Sequence, residues 1–166
     1  MTRDVAHLEV IAVTRWEIWV VAKTKWGALA PHNFTCMKKK ILFVCIENSN
    51  RSQMSQAFAK IIGGEKVEAY SAGSRPSGLV NPKAIAAMKD FGYDLSTHDS
   101  KSLKEVEQYA PFDAVVTMGC GDACPWMPAK LFLDWEIPDP KNMNEEDFRK
   151  VRNLIAERVE NLLSAL

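Results

Sequence analysis

Apolar residues in this chain gather in short runs that alternate with stretches of helical period. Ile41, Leu42, Phe43 and Val44 form an unbroken run that stops at Cys45, as expected of a strand buried on both faces. From Ser52 onward, Met54, Phe58, Ile61 and Ile62 recur at helical spacing, so a helix follows a tight turn over residues 45–51. Residues 66–71 alternate as a second strand, and the turn-rich segment 72–78 follows it. Asn81-Pro82 reads as a helix cap and first position, with Ala84, Ile85, Met88 and Phe91 toward the core and Gly92 as the stop. A short helix over 101–108, a third strand over 113–118 and a fourth over 131–133 complete the middle of the chain. From Glu145, the apolar positions Phe148, Val151, Ile155, Val159 and Leu162 predict a terminal amphipathic helix. Alternating strands and helices predict an α/β fold, a three-layer sandwich around a four-stranded parallel sheet. In such a fold, reactive residues gather at the carboxyl ends of the strands. Cys45, Ser71 and Cys120 are expected there.

Composition narrows this picture. With 166 residues, 47% of them apolar, and a formal net charge of zero, the chain fits one domain able to bury roughly two-thirds of its unfolded surface. Balanced charge gives no reason to expect nucleic acid or an anionic membrane as partner, and the Lys38-Lys39-Lys40 run leads into the first strand. Four unevenly spaced cysteines argue against a disulfide framework and for a reducing compartment, so cytoplasm is expected. The longest early apolar stretch, residues 18–22, is bracketed by Glu17 and Lys23 and fits neither a signal peptide nor a membrane span. Residues 1–36 hold three of the five tryptophans and two of the three histidines, without a period that would dock on an α/β domain. They read as a loosely ordered extension or an upstream start assignment, with the domain proper over 37–166; an arm covering an apolar surface is the alternative.

The turn after the first strand carries the chemistry. Its residues, Cys45, Ile46, Glu47, Asn48, Ser49, Asn50, Arg51 and Ser52, lead from a strand end into a helix N-terminus, where orphan amides and the helix dipole favour an anion. The planar fork of Arg51 suits two oxygens of a tetrahedral oxyanion. The same positive field favours thiolate over thiol at Cys45. Ser52 is placed to donate to that sulfur or to cap the helix, and Asn48 and Asn50 tolerate the left-handed angles that a ring of inward N–H groups requires. Glu47 must turn outward, because a carboxylate beside the anion would oppose the rest of the loop.

Cys45-x5-Arg51-Ser52, then Ser71-Ala72-Gly73, then Asp139-Pro140 together resemble the low-molecular-weight protein tyrosine phosphatases and the arsenate reductases built on their fold, over about residues 37–163. The resemblance implies a cysteine nucleophile at Cys45, an oxyanion-binding arginine at Arg51 and a general acid at Asp139. Trp135, Ile137 and Pro138 would desolvate that carboxyl and keep it protonated. In the phosphatases the Asp-Pro is followed by tyrosines that hold an aromatic substrate, whereas Lys141-Asn142 follow here. That departure favours the reductase.

Cys120 and Cys124 lie just past the third strand, with glycines on both sides of Cys120. This arrangement suits a relay in which Cys120 attacks an adduct on Cys45 and Cys124 resolves the disulfide. No second Cys or His pair offers the four ligands zinc wants, so no metal is expected, and no bound cofactor. The expected partners are an arsenate or phosphate oxyanion and an external thiol reductant, thioredoxin or a small thiol. Hydrolysis of phosphomonoesters through a phosphocysteine, or a non-catalytic phospho-ligand module, are the alternatives.

Overall fold

The computed structural model describes residues 37–119 and 127–166. The expectations for residues 1–36 and for Cys120 and Cys124 lie outside the described residues. The first apolar run forms β1 (Lys39–Cys45), followed by α1 (Arg51–Gly63) and β2 (Val67–Gly73). Then come α2 (Pro82–Lys89), the short α3 (Leu103–Val106), β3 (Phe112–Thr117), β4 (Ala129–Asp134) and the long α4 (Glu145–Ala165). The four strands are parallel in the order β2-β1-β3-β4, as the alternating pattern predicts.

Residues 41–44 are completely buried because the central strand meets a core on each side. Ile41 and Phe43 point into the larger core with Met54, Phe58, Met88 and Ile155, while Leu42 and Val44 point into a smaller one with Leu103, Phe112 and Val115. A continuous apolar run is what two such faces demand. All five predicted apolar positions of α4, namely Phe148, Val151, Ile155, Val159 and Leu162, are buried, each contributing about 1.5–3 kcal/mol relative to exposure. Asn144 caps α4 by accepting from the Asp147 amide at 2.9 Å, and three acidic residues in its first turn suit the helix dipole. Asn81 caps α2 in the same way.

One boundary and one buried side chain differ from expectation. β2 runs through Gly73, so Ser71 lies inside the strand instead of at its end, fully buried and donating to Gln56 Oε1 at 2.6 Å. It is Gly73 that stands level with Cys45 at the carboxyl edge of the sheet. The buried Arg152 also carries no sequence signal. It donates to Ala87 O at 3.0 Å and Asp90 Oδ2 at 2.6 Å, lies 4.8 Å over the Phe91 ring, and so ties the end of α2 to α4. No helix among the described residues is long and apolar enough to cross a membrane.

Candidate active site

Cys45 is the last residue of β1 and Arg51 the first of α1, so five residues turn the chain from sheet into helix. The carbonyls of this loop are all engaged from outside it. Cys45 O accepts from Ser74 N (3.1 Å), Ile46 O from Arg75 N (2.8 Å), Glu47 O from Ser77 N (3.0 Å) and Ser49 O from Asn81 N (3.0 Å). Asn48 O accepts from Gln53 Nε2 and Asn50 O from Met54 N. In a planar trans peptide, C=O and the following N–H point opposite ways. Carbonyls turned outward therefore turn the amides of residues 46–50 inward, and none of those amides donates to a described protein acceptor. A ring of inward donors at a helix N-terminus is an anion cradle.

Asn48 adopts a φ of 48°, the left-handed value expected of it; Asn50 does not, with φ −126°. Asn50 opens the helix at negative φ, without a side-chain cap, so its tolerance for left-handed angles is unused. Gly73 makes the loop's curvature possible, since a Cβ there would lie 2.7 Å from Ile46 O and 2.9 Å from Asn48 N.

Hydrogen-bond directions around the sulfur follow from fixed backbone groups. Lys101 N–H can only donate, and it meets Asn48 Oδ1 at 2.7 Å. Asn48 Nδ2 must then be the atom donating to Ser52 Oγ at 2.9 Å. Ser52 Oγ, which accepts from Asn48, lies 3.0 Å from Cys45 Sγ, and its O–H is free to donate to that sulfur. Both atoms are buried.

Gln53 Nε2 faces the carbonyls of Asn48 and Asp99, so Gln53 Oε1 accepts from His98 Nδ1–H at 2.9 Å and His98 Nε2 accepts from Tyr93 O–H at 2.9 Å. Burial first, then the charges of Lys60 and Lys101, push His98 down to about 4, against the attraction of Asp99. The unfolded chain takes up this proton through about pH 6.5 and the folded one only near 4, so native stability falls as pH drops through that window. Melting temperatures are expected to decline between pH 7 and 4.5, and less so in His98→Asn, which keeps a donor toward Gln53.

Arg51 is buried and turned inward, not outward. Its Nη1 donates to Ile137 O at 3.0 Å and its Nη2 to Asp139 Oδ2 at 3.2 Å. Gly119, with φ 67°, packs its Cα face on this guanidinium, and a Cβ there would lie 3.0 Å from Nη1. Gly119 is the last residue described before Cys120. Asp139 arrives where the sequence places it, but in a different setting. Trp135 and Ile137 turn into the core, while half of the Asp139 side chain is exposed, held by Arg51 and by the Lys141 amide at 3.1 Å. Ion pairing and a turn, not apolar enclosure, position this carboxyl. Glu47 does point outward, and its Oε1 meets Lys141 Nζ at 2.6 Å. No group of three or more His, Cys, Asp or Glu side chains suited to a metal forms among the described residues.

Cradle, sulfur, fork and carboxyl on a parallel α/β sheet define a cysteine-dependent oxyanion site. The chain belongs to the family described as low molecular weight phosphotyrosine protein phosphatase, which matches residues 40–166. Among curated relatives, the glutaredoxin arsenate reductase of Synechocystis sp. is 40% identical over 131 residues, covering 77% of this chain and 98% of the relative. A solved structure described as an arsenate reductase in the phosphate binding state matches with a TM-score of 0.70 and 40% identity, over 76% of this chain and 98% of that one. The thioredoxin-dependent arsenate reductase of Corynebacterium glutamicum matches with a TM-score of 0.64 and 32% identity, over 77% of this chain and 61% of that one.

Proposed function

We propose that this protein is an arsenate reductase that converts arsenate to arsenite through Cys45. The observation that carries the reading is the loop between Cys45 and Arg51, whose carbonyls are engaged from outside while its amides at residues 46–50 take no described acceptor, with the Ser52 hydroxyl 3.0 Å from the Cys45 sulfur. Arsenate and phosphate share this tetrahedral chemistry. The names of the relatives favour arsenate.

Cys45 Sγ attacks arsenic, and one oxygen departs as water after receiving a proton from Asp139, leaving a sulfur–arsenic(V) adduct. A second thiolate, assigned to Cys120, then attacks the Cys45 sulfur. As the S–S bond forms and the S–As bond breaks, two electrons pass to arsenic, and arsenite leaves. Gly119, the residue before Cys120, lies against the guanidinium, which supports this assignment. Cys124 would take over the disulfide, and an external thiol system reduces it. One relative is named for glutaredoxin and another for thioredoxin, so both protein reductants are to be compared with small thiols.

The phosphatase alternative uses the same first step with a phosphoester, followed by hydrolysis. The test follows arsenite formed from arsenate, with thioredoxin, glutaredoxin or dithiothreitol as reductant, beside phosphate released from an aryl phosphate. Arsenite release with the protein reductants is expected to need Cys120, while phosphate release does not. Phosphate release alone would overturn the reductase reading. A non-catalytic binding module finds no support at Glu47, whose carboxylate is neutralised by Lys141 outside the cradle.

A further inference from the structure

The segment carrying Asp139 is tied to the anion loop at two separated points. At one end Arg51 holds Ile137 O and Asp139 Oδ2; at the other, Glu47 Oε1 holds Lys141 Nζ at 2.6 Å. Arg51 closes the loop and Glu47 lies just past its opening cysteine, so residues 137–141 run from one side of the loop to the other. Between the ties, Lys141 N–H donates to Asp139 Oδ1 and Met143 N–H to Pro140 O, which keeps the crossing tight. The second tie lies at the rim, with Lys141 about half exposed and Glu47 about one-third, and Glu47 is further fixed through its carbonyl by Ser77 N and Ser100 Oγ.

We infer that the Glu47–Lys141 ion pair fastens residues 137–141 as a strap over the mouth of the cradle, selecting free inorganic oxyanions over organic phosphoesters. The inference rests on the reading of residues 45–51 as an oxyanion site. A free tetrahedral anion has no organic group to pass through the mouth. An ester must pass its organic group out through the mouth, and that requires the strap to lift and the ion pair to part. Glu47 and Lys141 thus act as specificity-determining residues of rim and strap, with no contact to the reacting atoms.

Binding reads this without turnover. Titration calorimetry on the reduced full-length protein gives the dissociation constants of inorganic phosphate and of phenylphosphonate, a non-hydrolysable stand-in for an aryl ester. The native protein is expected to favour phosphate. Lys141→Ala is expected to shrink that preference by up to about fivefold, the most an exposed ion pair supplies, whereas Lys141→Arg, which keeps the charge, retains it. High salt should erode the native preference and leave that of Lys141→Ala unchanged. Equal preference in native protein and Lys141→Ala, or an equal change in Lys141→Arg, would overturn the strap. Failure to release arsenite would sink the reductase reading and leave these ratios intact. Failure of the native protein to bind phosphate would overturn both.

Discussion

Replacing Cys45 with serine is expected to abolish arsenite release, by at least about ten-thousandfold in kcat, while leaving oxyanion binding almost intact. The two parts of this result separate chemistry from recognition. Serine differs from cysteine by one atom and keeps the place of the sulfur beside Ser52, so the core around the end of β1 has little to rearrange. Its hydroxyl, however, does not ionise near neutral pH, and among the described residues the group hydrogen-bonded to that atom is the Ser52 hydroxyl, which is not a base. Removing a nucleophile that forms the covalent intermediate eliminates the pathway, and residual rates reflect binding alone. The amides of residues 46–50 and the Arg51 fork do not depend on the sulfur. Phosphate should therefore still bind to Cys45→Ser within about a few-fold of its native affinity, since the interactions that position the anion are retained. Single-turnover arsenite assays beside phosphate titration check both parts. Loss of phosphate binding in a folded Cys45→Ser protein would mean that the sulfur builds the cradle instead of working within it.

How much of this was legible in the sequence depends on the distance between partners. The run at residues 41–44, the cysteine and arginine that frame the turn, and the stripe from Phe148 to Leu162 are local patterns, and each forms the element its period predicts. The outward side chain of Glu47 followed from electrostatic reasoning about one loop. Its partner did not, because Lys141 is 94 positions away and nothing local to either residue names the other. The same holds for the Gln53–His98 link, 45 positions apart, and for the clamp of Arg152 on Asp90, 62 positions apart. Asp139 shows the limit from the other side. Its position was readable as a turn after the last strand, yet its environment was inferred from the hydrophobicity of Trp135 and Ile137. Those two side chains do turn inward, but the alternation breaks at Pro138 and the turn closed by the Lys141 amide leaves the carboxyl at the surface against Arg51. Asn50 illustrates permissiveness without use: a residue that tolerates φ > 0 does not have to adopt it, and only one turn in this loop needs it.

Arg51 bears the second large expectation. Arg51→Ala should lower kcat/KM for arsenate by about a thousandfold, in the range found when a preorganised donor to a developing oxyanion is deleted. Arg51→Lys should recover only part of that loss. A lysine keeps the charge, but as a point ammonium it cannot serve Ile137 O and Asp139 Oδ2 through a rigid fork while also facing two oxygens of an anion. The fork has two functions. Nη2 is bound to Asp139 at 3.2 Å; under the proposed mechanism an arriving oxyanion shares or takes over that donor, and the carboxyl is released next to the oxygen it would protonate. Alanine removes the anion's bidentate partner and the anchor of the acid together, so both KM and kcat should worsen. It also leaves Ile137 O, buried against Arg51, without its donor, at a cost of about 1–3 kcal/mol in stability, which thermal unfolding would register. If arginine served only to fold the segment that carries Asp139, phosphate affinity would be the same in native protein and Arg51→Lys, with stability alone reduced. A loss of phosphate affinity in Arg51→Lys at unchanged melting temperature would assign the fork to the anion.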